Sequence, residues 1–211
     1  MRVATLYDVH GNLPALEAVL AEIPDDATIV VGGDVVAGGT HPSETLERLR
    51  GLGDRVVWIR GNADRELTPG EPGLAPAGAL DATRAALTDE QIEFLYTRPP
   101  TAQIDRVLFC HATPRNDVDI FTERTPEERL VEIFAGVDAD VVVCGHTHMQ
   151  FERSIAGKRV INSGSVGMPY ENEPGAYWML DLEHRRTTYD GAAPSEPSRD
   201  EALAQFTDRG L

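Results

Sequence analysis

Side chains that can bind metal ions follow five apolar runs within the first 150 residues of the chain. They are Asp8, His10, Asp34, Asn62, His111, His146 and His148. Carboxylate and neutral imidazole groups suit first-row divalent metals such as Mn, Fe, Co, Ni and Zn, whereas a structural zinc site would favour thiolates. Seven side chains are too many for one ion, but they suit two ions that share a bridging carboxylate. Two such ions, about 3.5–4 Å apart, can bind a phosphoryl group and activate a water molecule.

Each of these residues also has a simpler structural interpretation. A lone Asp-x-His that precedes Gly and Asn is typical of a turn, and a single histidine is more often packed or capping than a ligand. Four of the six histidines, however, follow apolar runs in this way. A shared metal site explains that coincidence better than several unrelated turns do.

The apolar runs alternate with helical patterns, and this order predicts how the site is assembled. Strands are predicted at RVATLY, ATIVVGG, RVVWIRG, RVLFC and DVVVC. Helices are predicted at LPALEAVLAEI, PSETLERLRGL, LDATRAAL, TDEQIEFLYTR and TPEERLVEIFAG. Such alternation predicts an α/β protein with a largely parallel sheet, and these sheets bind ligands beyond the carboxyl ends of their strands. Two later runs, around Ala156-Gly157 and from Ala176 to Asp190, predict antiparallel strand pairs.

The composition limits the partners that the protein can have. The chain has 211 residues, of which 41% are hydrophobic, and a net charge of −16. This acidity disfavours non-specific binding to nucleic acids or anionic membranes. The sequence shows neither a membrane-spanning apolar run nor a signal-peptide pattern, so the expected location is the cytoplasm. Cys110 and Cys144 each end an apolar run and are expected to be buried thiols. A homo-oligomer is compatible with the sequence.

Five short motifs, in order, resemble the signature of the calcineurin-like metallophosphoesterases. They are DVHGN, GGD, GNAD, CH and GHTH. The resemblance is greatest to the small bacterial and archaeal branch of phosphodiesterases and extends from Arg2 to about Asp190. It implies a phosphoesterase domain over residues 1–190 with a four-layer αββα sandwich, two mixed β-sheets flanked by helices. Residues 191–211 are then a C-terminal tail with a weak helical pattern near its end.

The same resemblance assigns roles to the seven side chains. It implies one metal held by Asp8, His10 and His148, and a second held by Asn62, His111 and His146. Asp34 would bridge the two ions, and a hydroxide between them would be the nucleophile. Asp34, Asn62 and His111 are therefore the expected catalytic residues. Manganese is the expected metal, with Fe, Ni, Co and Zn as alternatives.

Three positions depart from the family pattern. Ala63 stands where many members have a histidine that can protonate the leaving group, so the motif assigns no general acid. Esters with good leaving groups, or diesters, should suffer least from this change. Tyr7 replaces a small residue before the first aspartate, which predicts a change in packing. Ser163 replaces a frequent proline, with little expected effect.

Several further residues have weaker claims on the site. Asn12, Arg115 and His41 are candidate substrate-binding residues, but a structural role is favoured for each. Asn12 is expected to cap a helix, Arg115 to form a surface salt bridge, and His41 to lie in a solvated loop. Asp64 is expected to orient Asn62 or a loop. The Pro- and Gly-rich segment 66–80 and the loop 112–124 are candidates for the rim of the substrate site, because loops on a rigid scaffold often determine binding.

The predicted function is hydrolysis of a phosphate ester, most plausibly a phosphodiester, by a dinuclear metal site. The substrate would be a small molecule, for example a nucleotide. Two alternatives stay open at this stage. One is a phosphomonoesterase or phosphoprotein phosphatase with the same site. The other is a non-catalytic module that uses the same fold to bind a protein partner.

Overall fold

A computed structural model of the protein describes residues 2–76, 78–192 and 197–209. In these residues ten strands form two five-stranded sheets. The strands are β1 (Val3–Leu6), β2 (Thr28–Val31), β3 (Val56–Trp58), β4 (Thr101–Ile104), β5 (Val107–Cys110), β6 (Val141–Cys144), β7 (Gln150–Ile155), β8 (Lys158–Ser163), β9 (Ala176–Leu180) and β10 (Glu183–Thr187). All five strands predicted before residue 150 are present, and so are both predicted antiparallel pairs.

Both sheets are mixed: the first has one antiparallel edge, formed by β9 and β10, and the second has antiparallel strands at both edges. The first sheet has the order β10-β9-β1-β2-β3, and the second has the order β4-β5-β6-β8-β7. β1, β2 and β3 run parallel, as do β5, β6 and β8. The β7–β8 hairpin turns at Ala156-Gly157, where both residues have positive φ. The carboxyl ends of the parallel strands carry the candidate site.

Seven α-helices connect or cover these strands in the described part of the chain. They are α1 (Leu13–Leu20), α2 (Pro42–Arg50), α3 (Asn62–Glu66), α4 (Asp81–Ala85), α5 (Asp89–Tyr96), α6 (Val131–Phe134) and α7 (Arg199–Arg209). Thr88 caps α5, because its hydroxyl accepts from the Gln91 amide and the Gln91 side chain accepts from the Thr88 amide.

The helix predicted over TPEERLVEIFAG is broken in the structure. It consists of a short 3-10 helix, Glu127–Arg129, followed by the single turn of α6. The Thr125 hydroxyl accepts from the Thr122 amide behind it. It therefore closes a turn instead of capping a helix ahead of it, and the expectation of one continuous helix was wrong.

Three apolar clusters arrange the elements in four layers. One lies between the first sheet and its helices, and contains Leu16 of α1, Ile29 of β2 and Leu46 of α2. A second lies on the outer face of the other sheet around Phe121 and Phe134. The third fills the space between the sheets. The fold is therefore the predicted αββα sandwich of two mixed sheets.

Tyr7 is a central part of the layer between the sheets. Its side chain is fully buried there, and its hydroxyl donates to the Val143 carbonyl at 3.1 Å. A Cβ atom at Gly32 or Gly145 would lie within 3 Å of the Tyr7 side chain. These two glycines therefore make room for the tyrosine, which agrees with the predicted change in packing. Cys110 and Cys144 are buried free thiols, as expected.

The C-terminal helix α7 packs on the domain next to the candidate site. Its Ala202 and Leu203 are buried against Met149, and the Phe206 ring lies 6.0 Å from the Tyr170 ring. Part of the predicted tail, residues 193–196 and 210–211, lies outside the described residues. None of the described helices is long and apolar enough to cross a membrane.

Candidate metal centre

The seven candidate ligands lie at the carboxyl ends of five parallel strands. Asp8 and His10 follow β1, Asp34 follows β2, and Asn62 opens α3 just after β3. In the second sheet, His111 follows β5, and His146 and His148 follow β6. Because the two sheets pack face to face, their strand ends meet at one edge of the sandwich. The structure thus brings together all seven side chains.

Five of the seven residues have a positive φ. The angles lie between 49° and 66° for Asp8, His10, Asp34, His146 and His148. This left-handed conformation is uncommon for residues other than glycine and has a cost in free energy. Such strain is concentrated at functional sites, where the surrounding structure holds the backbone in place. Here it turns each side chain away from its strand and toward its neighbours.

Two glycines allow the chain segments to approach each other at the centre. Gly33 has φ +96°, and a Cβ there would lie 2.4 Å from the Gly61 nitrogen and 2.8 Å from His111 Nδ1. A Cβ at Gly61 would lie 2.1 Å from Asp34 Oδ1. Larger residues at either position would separate Asp34 from His111.

The first cluster consists of Asp8, His10 and His148. His10 Nε2 lies 3.2 Å from His148 Nε2. Asp8 Oδ1 lies 3.4 Å from His148 Nε2 and 4.0 Å from His10 Nε2. Asp8 is fully buried, and its Oδ1 has no hydrogen-bond partner among the described atoms. A buried carboxylate oxygen without a partner is costly unless a cation or proton is nearby.

The second cluster adjoins the first. Asp34 Oδ2 lies 3.4 Å from His111 Nε2, and Asn62 Oδ1 lies 3.2 Å from the same nitrogen. The His146 ring packs edge-on against the His111 ring, with centroids 5.1 Å apart. Ligand atoms of Asp34, His111 and His146 lie within 4.8 Å of one another. His111 Nε2 is also 3.9 Å from Asp8 Oδ1, so the clusters are contiguous.

Backbone carbonyls fix the orientation of three imidazole rings. The Nδ1 atoms of His10, His111 and His148 contact the carbonyls of Ala37, Gly32 and Met168, respectively. A carbonyl can only accept a hydrogen bond, so each Nδ1 must carry the proton. In the neutral ring Nε2 then presents its lone pair to the cluster. Metal-binding histidines are commonly oriented in this way.

The charges in the two clusters compensate each other. Burial lowers the pKa of His111, but the Asp34 and Asp8 carboxylates outweigh this effect and raise the pKa to about 10. Burial also lowers the pKa of His148, and Asp8 again reverses the shift, so this pKa lies above its ordinary value. Burial and the charge of His111 lower the pKa of His146 to about 4. The Asp8 and Asp34 carboxylates thus favour a positive charge in this part of the site.

The donor set fits divalent metal ions. The lone pairs of His10 and His148, only 3.2 Å apart, repel each other unless a proton or cation lies near both. The unpartnered Asp8 Oδ1 requires the same compensation. Deprotonated carboxylates and imidazoles are metal ligands, and a bound cation would take the place of the protons. The two groups that could hold an ion are Asp8, His10 and His148, and Asp34, His111 and His146.

Asp64 and Glu66 support the candidate ligands. The Asp64 carboxylate accepts hydrogen bonds from the amides of Asp34, Val35 and Gly61, so it fixes the loop that carries Asp34. This agrees with its predicted role in orienting a loop. Glu66 Oε1 accepts from Asn62 Nδ2 at 2.9 Å, which directs Asn62 Oδ1 toward His111. Glu66 was not among the predicted site residues, although its i, i+4 spacing from Asn62 is a usable signal.

Asn12 and His41, two of the candidate substrate-binding residues, contact other groups of the protein. Asn12 Oδ1 accepts from the Ala15 amide as the N-cap of α1, and its Nδ2 donates to the Gly167 carbonyl and the Tyr189 hydroxyl. The favoured capping role is therefore confirmed. His41 opens α2, and its Nδ1 contacts the Thr40 hydroxyl at 2.8 Å. It lies outside the set of residues that line the cavity above the two clusters.

Arg115 forms a salt bridge within its own loop. Its guanidinium donates two hydrogen bonds of 2.9 Å to Asp119. Asp119 is buried and also accepts from Thr113 and Asn116. Thr113, Arg115 and Asn116 line a separate cavity of about 290 Å³. The salt bridge was the favoured interpretation of Arg115, and these contacts agree with it.

Replacing Asp119 with asparagine should destabilise the protein in a pH-dependent manner. Burial raises the pKa of Asp119, but hydrogen bonds from Arg115, Asn116 and Thr113 outweigh it and hold the pKa below its ordinary value. The stabilisation is complete above the unfolded-state pKa of about 4 and is lost as the pH falls through the lower folded-state pKa. We expect Asp119→Asn to lower the free energy of unfolding by about 2 kcal/mol at pH 7.

Urea unfolding of both proteins at pH 7 and at pH 3 measures this difference. It should shrink at the lower pH, where the wild-type carboxylate begins to take up a proton. A difference of the same size at both pH values would contradict the assignment of the stabilisation to the ionised carboxylate.

A cavity of about 420 Å³ opens above the two clusters. Its floor contains side chains of the metal-ligand set. Its walls come from residues 74–76 and 79–80 and from the loop after β8. The lining residues are His10, Asp34, Ala37, Gly38, Asn62, Ala63, Glu66, Leu74, Ala75, Pro76, Ala79, Leu80, His146, His148, Met168 and Tyr170. The segment 66–80 was predicted to lie at the substrate rim, and its second half does line this cavity.

A two-sheet sandwich with carboxylate, amide and imidazole groups at its strand ends is the architecture of a metallophosphoesterase. The profile of the calcineurin-like phosphoesterase superfamily domain matches residues 1–185. The chain belongs to this superfamily. The resemblance noted in the motifs is therefore confirmed.

Known proteins agree with this assignment. Phosphodiesterase YfcE of Escherichia coli is 26% identical, over 86% of this chain and 88% of that protein. The symmetrical bis(5'-nucleosyl)-tetraphosphatase of Pectobacterium atrosepticum is 34% identical over 53% of this chain, which spans only 43% of that relative. The crystal structure of a metallophosphoesterase from Sphaerobacter thermophilus has a TM-score of 0.73 at 24% identity, covering 100% of this chain and 94% of that one. The family and the two sequence relatives indicate a phosphoesterase, and the crystal structure shows the same fold.

Proposed function

We propose that the chain is a phosphodiesterase that requires two divalent metal ions, with manganese as the expected metal. Asp8, His10 and His148 would hold one ion, and Asn62, His111 and His146 the other, with Asp34 between them. The observation that carries the proposal is the contiguous, buried donor set around the unpartnered Asp8 Oδ1. Carboxylates and imidazoles this close together suit divalent cations, and a bound cation would give the buried Asp8 Oδ1 a partner.

The reaction would be hydrolysis of a phosphate ester. The oxygen of a water molecule bonds to phosphorus, the ester P–O bond breaks, and a water proton ends on the alcohol or in solvent. Bound ions supply Lewis-acid chemistry, since they orient the phosphoryl group, lower the pKa of water and stabilise developing charge. The chain's own contribution would be to hold the donor atoms in place through backbone carbonyls, Asp64 and Glu66.

The absence of a proton donor at position 63 supports the preference for diesters. Ala63 is 7% exposed and lines the cavity, where its methyl group can neither donate nor accept a proton. A departing alkoxide would leave without help from this position. Substrates whose alcohol leaves readily, and diesters with a single negative charge, therefore suit the site best.

Hydrolysis of two nitrophenyl esters tests the proposal. Chelator-treated protein should be inactive on bis(4-nitrophenyl) phosphate and on 4-nitrophenyl phosphate, and added Mn²⁺ should restore turnover with a preference for the diester. Preference for the monoester would keep the metal site and reverse the choice of substrate. Equal turnover with and without the chelator would contradict metal dependence.

Installing a histidine at position 63 should widen the range of leaving groups. We expect Ala63→His to raise the hydrolysis of diesters with an unactivated phenol by about 10²-fold, because a positioned acid protonates the departing oxygen. Nitrophenyl diesters, whose leaving group needs no proton, should change much less. The measurement is kcat/KM for methyl phenyl phosphate and methyl 4-nitrophenyl phosphate with Mn²⁺.

A matched variant separates proton donation from the added bulk. Ala63→Gln places a polar side chain of similar length in the same position, but it cannot act as an acid at neutral pH. It should show no gain with either ester. If glutamine and histidine gave equal gains with the phenyl ester, proton donation would not be the cause.

A further inference from the structure

One side of the cavity above the metal centre is apolar and carries no cationic side chain. Leu74, Pro76 and Leu80 form one part of this wall, and Met168 and Tyr170 form the other. None of the described residues that line the cavity is Lys or Arg. We call Leu74, Pro76, Leu80, Met168 and Tyr170 the apolar wall.

The five residues of the apolar wall range from Leu80, which is buried in the core, to Leu74, which is exposed. Leu74 is 52% exposed and is one of two large hydrophobic side chains, with Val131, that stand out in this way among the described residues. An exposed leucine is common on its own. Here, however, it lines the same cavity as Met168 and Tyr170. Apolar cavity walls beside a few polar groups are typical of ligand sites.

The contacts behind the wall fix its position relative to the metal centre. The Glu66 carboxylate that orients Asn62 also accepts hydrogen bonds of 2.9 Å from the amides of Leu74 and Ala75. A Cβ at Gly73 would lie 1.8 Å from the Glu66 carboxyl carbon, so only glycine permits this approach. One side chain therefore connects a candidate metal ligand with the segment that bears Leu74.

Contacts also fix the second part of the apolar wall, which contains Met168 and Tyr170. The Tyr170 ring stacks on His148, with centroids 4.9 Å apart and an angle of 24° between the planes. Its other neighbour is Phe206 of α7. The Tyr170 amide donates to the His148 carbonyl. A flat group bound between Tyr170 and Leu74 would thus lie directly beside the metal centre.

The charges indicate what such a group can be. A chain of further phosphates would meet the Glu66 carboxylate and no guanidinium or ammonium group among the described lining residues. The net charge of −16 adds to that repulsion. An uncharged ring, in contrast, would bury apolar surface against Leu74, Met168 and Tyr170.

From these observations we infer that the substrate carries an uncharged, flat ring on its phosphate, and that the apolar wall selects for this ring over small or anionic ester groups. This inference rests on the proposed function for the identity of the reacting phosphate. It favours an aryl-type or base-bearing diester over a polyphosphate. Leu74 and Tyr170 are its specificity-determining residues.

Binding of three phosphonates tests the inference without turnover. Calorimetry on Mn²⁺-loaded protein compares methylphosphonate, phenylphosphonate and 4-carboxyphenylphosphonate, which share the anionic head group. Phenylphosphonate should bind at least about tenfold more tightly than methylphosphonate, a typical effect of apolar contact in a pocket. The carboxylated ring should lose most of that advantage. Equal affinities for the three compounds, or tightest binding of the carboxylated ring, would overturn the inference.

Two variants test whether Leu74 is responsible for the preference for phenylphosphonate over methylphosphonate. Leu74→Asp places a charge on the wall at an exposed position, so the fold should be retained, and it should reduce the preference for phenyl over methyl to about threefold or less. Val131→Asp makes the same change at the other exposed hydrophobic residue, on α6, and should keep the full preference. If both variants kept it, Leu74 would not contact the ring and the inference would fail.

Turnover of bis(4-nitrophenyl) phosphate on the same samples separates this inference from the proposed function. Absent turnover together with an intact phenyl preference would refute the phosphodiesterase proposal and support the ring site. Turnover together with equal phosphonate affinities would support the phosphodiesterase and refute the ring site.

Discussion

Replacing Asp34 with asparagine should reduce the turnover of a phosphodiester by roughly 10³-fold or more, because catalytic groups that act as one unit fail together. Asp34 is buried, and its Oδ2 lies 3.4 Å from His111 Nε2 at the junction of the two ligand clusters. A neutral amide would remove the negative charge expected to lie between the ions. The measurement is kcat/KM for bis(4-nitrophenyl) phosphate with saturating Mn²⁺.

The fold should survive this replacement. Asp34 Oδ1 accepts a hydrogen bond from the Ala63 amide at 2.8 Å, and an asparagine oxygen can accept the same bond. Asp26→Asn, at an exposed position in the loop before β2, is the matched control and should keep full activity. Activity of Asp34→Asn within tenfold of the wild type, with unchanged KM, would contradict a central role for this carboxylate.

Manganese should raise the melting temperature of chelator-treated protein, and Asp8→Asn should lose most of that increase. At a metal concentration a hundred times the dissociation constant, binding stabilises the folded state by about 2.7 kcal/mol. For a chain of this size such a change corresponds to an increase of about 5–10 °C. Asp8 contributes the buried Oδ1 without a partner, so its replacement removes the oxygen with the greatest need for a cation.

Thermal unfolding of both proteins with and without Mn²⁺ gives the answer. Asparagine can still accept from the His146 amide, as Asp8 Oδ2 does at 2.9 Å, so the local backbone contact should persist. Asp26→Asn again provides the control and should respond to Mn²⁺ like the wild type. An equal response of Asp8→Asn would show that the stabilising ion binds elsewhere.

The sequence predicts the strands of this fold well because their signals are local. Each central strand is a short apolar run that ends at a polar residue, and the β7–β8 hairpin has Ala156-Gly157 at its turn. The alternation with amphipathic helices then leads to parallel sheets. The motifs of the family add the second sheet and the layers, which composition and periodicity do not provide.

The elements that were not predicted from the sequence are short, and each depends on a few specific contacts between residues close together in the chain. β4 is a four-residue strand at the edge of the second sheet and is defined by its pairing with β5. α3 has five residues, and Asp64 holds its start through the Gly61 amide. The break before α6 follows from the Thr122–Thr125 turn. None of these contacts has a periodic pattern in the sequence.

Some residues of the candidate site can likewise be predicted from the sequence, and others cannot. Its ligand types follow strand ends, so the sequence indicates them and the structure brings them together; their role as ligands stays a prediction. Tyr170 acts through a tertiary contact with His148 that only the fold shows, whereas Glu66 contacts Asn62 one helical turn away, a spacing that the sequence does contain. Asn12 and Arg115 lie near motifs in the sequence, but their side chains have structural roles: Asn12 caps a helix and Arg115 forms a salt bridge.

Anomalous scattering from crystals grown with Mn²⁺ would test the dinuclear site most directly. We expect two peaks, one among Asp8, His10 and His148 and the other among Asn62, His111 and His146, with Asp34 in contact with both. The spacing expected for such a pair is about 3.5–4 Å. Peaks only at other places on the surface, in protein that hydrolyses bis(4-nitrophenyl) phosphate, would contradict it.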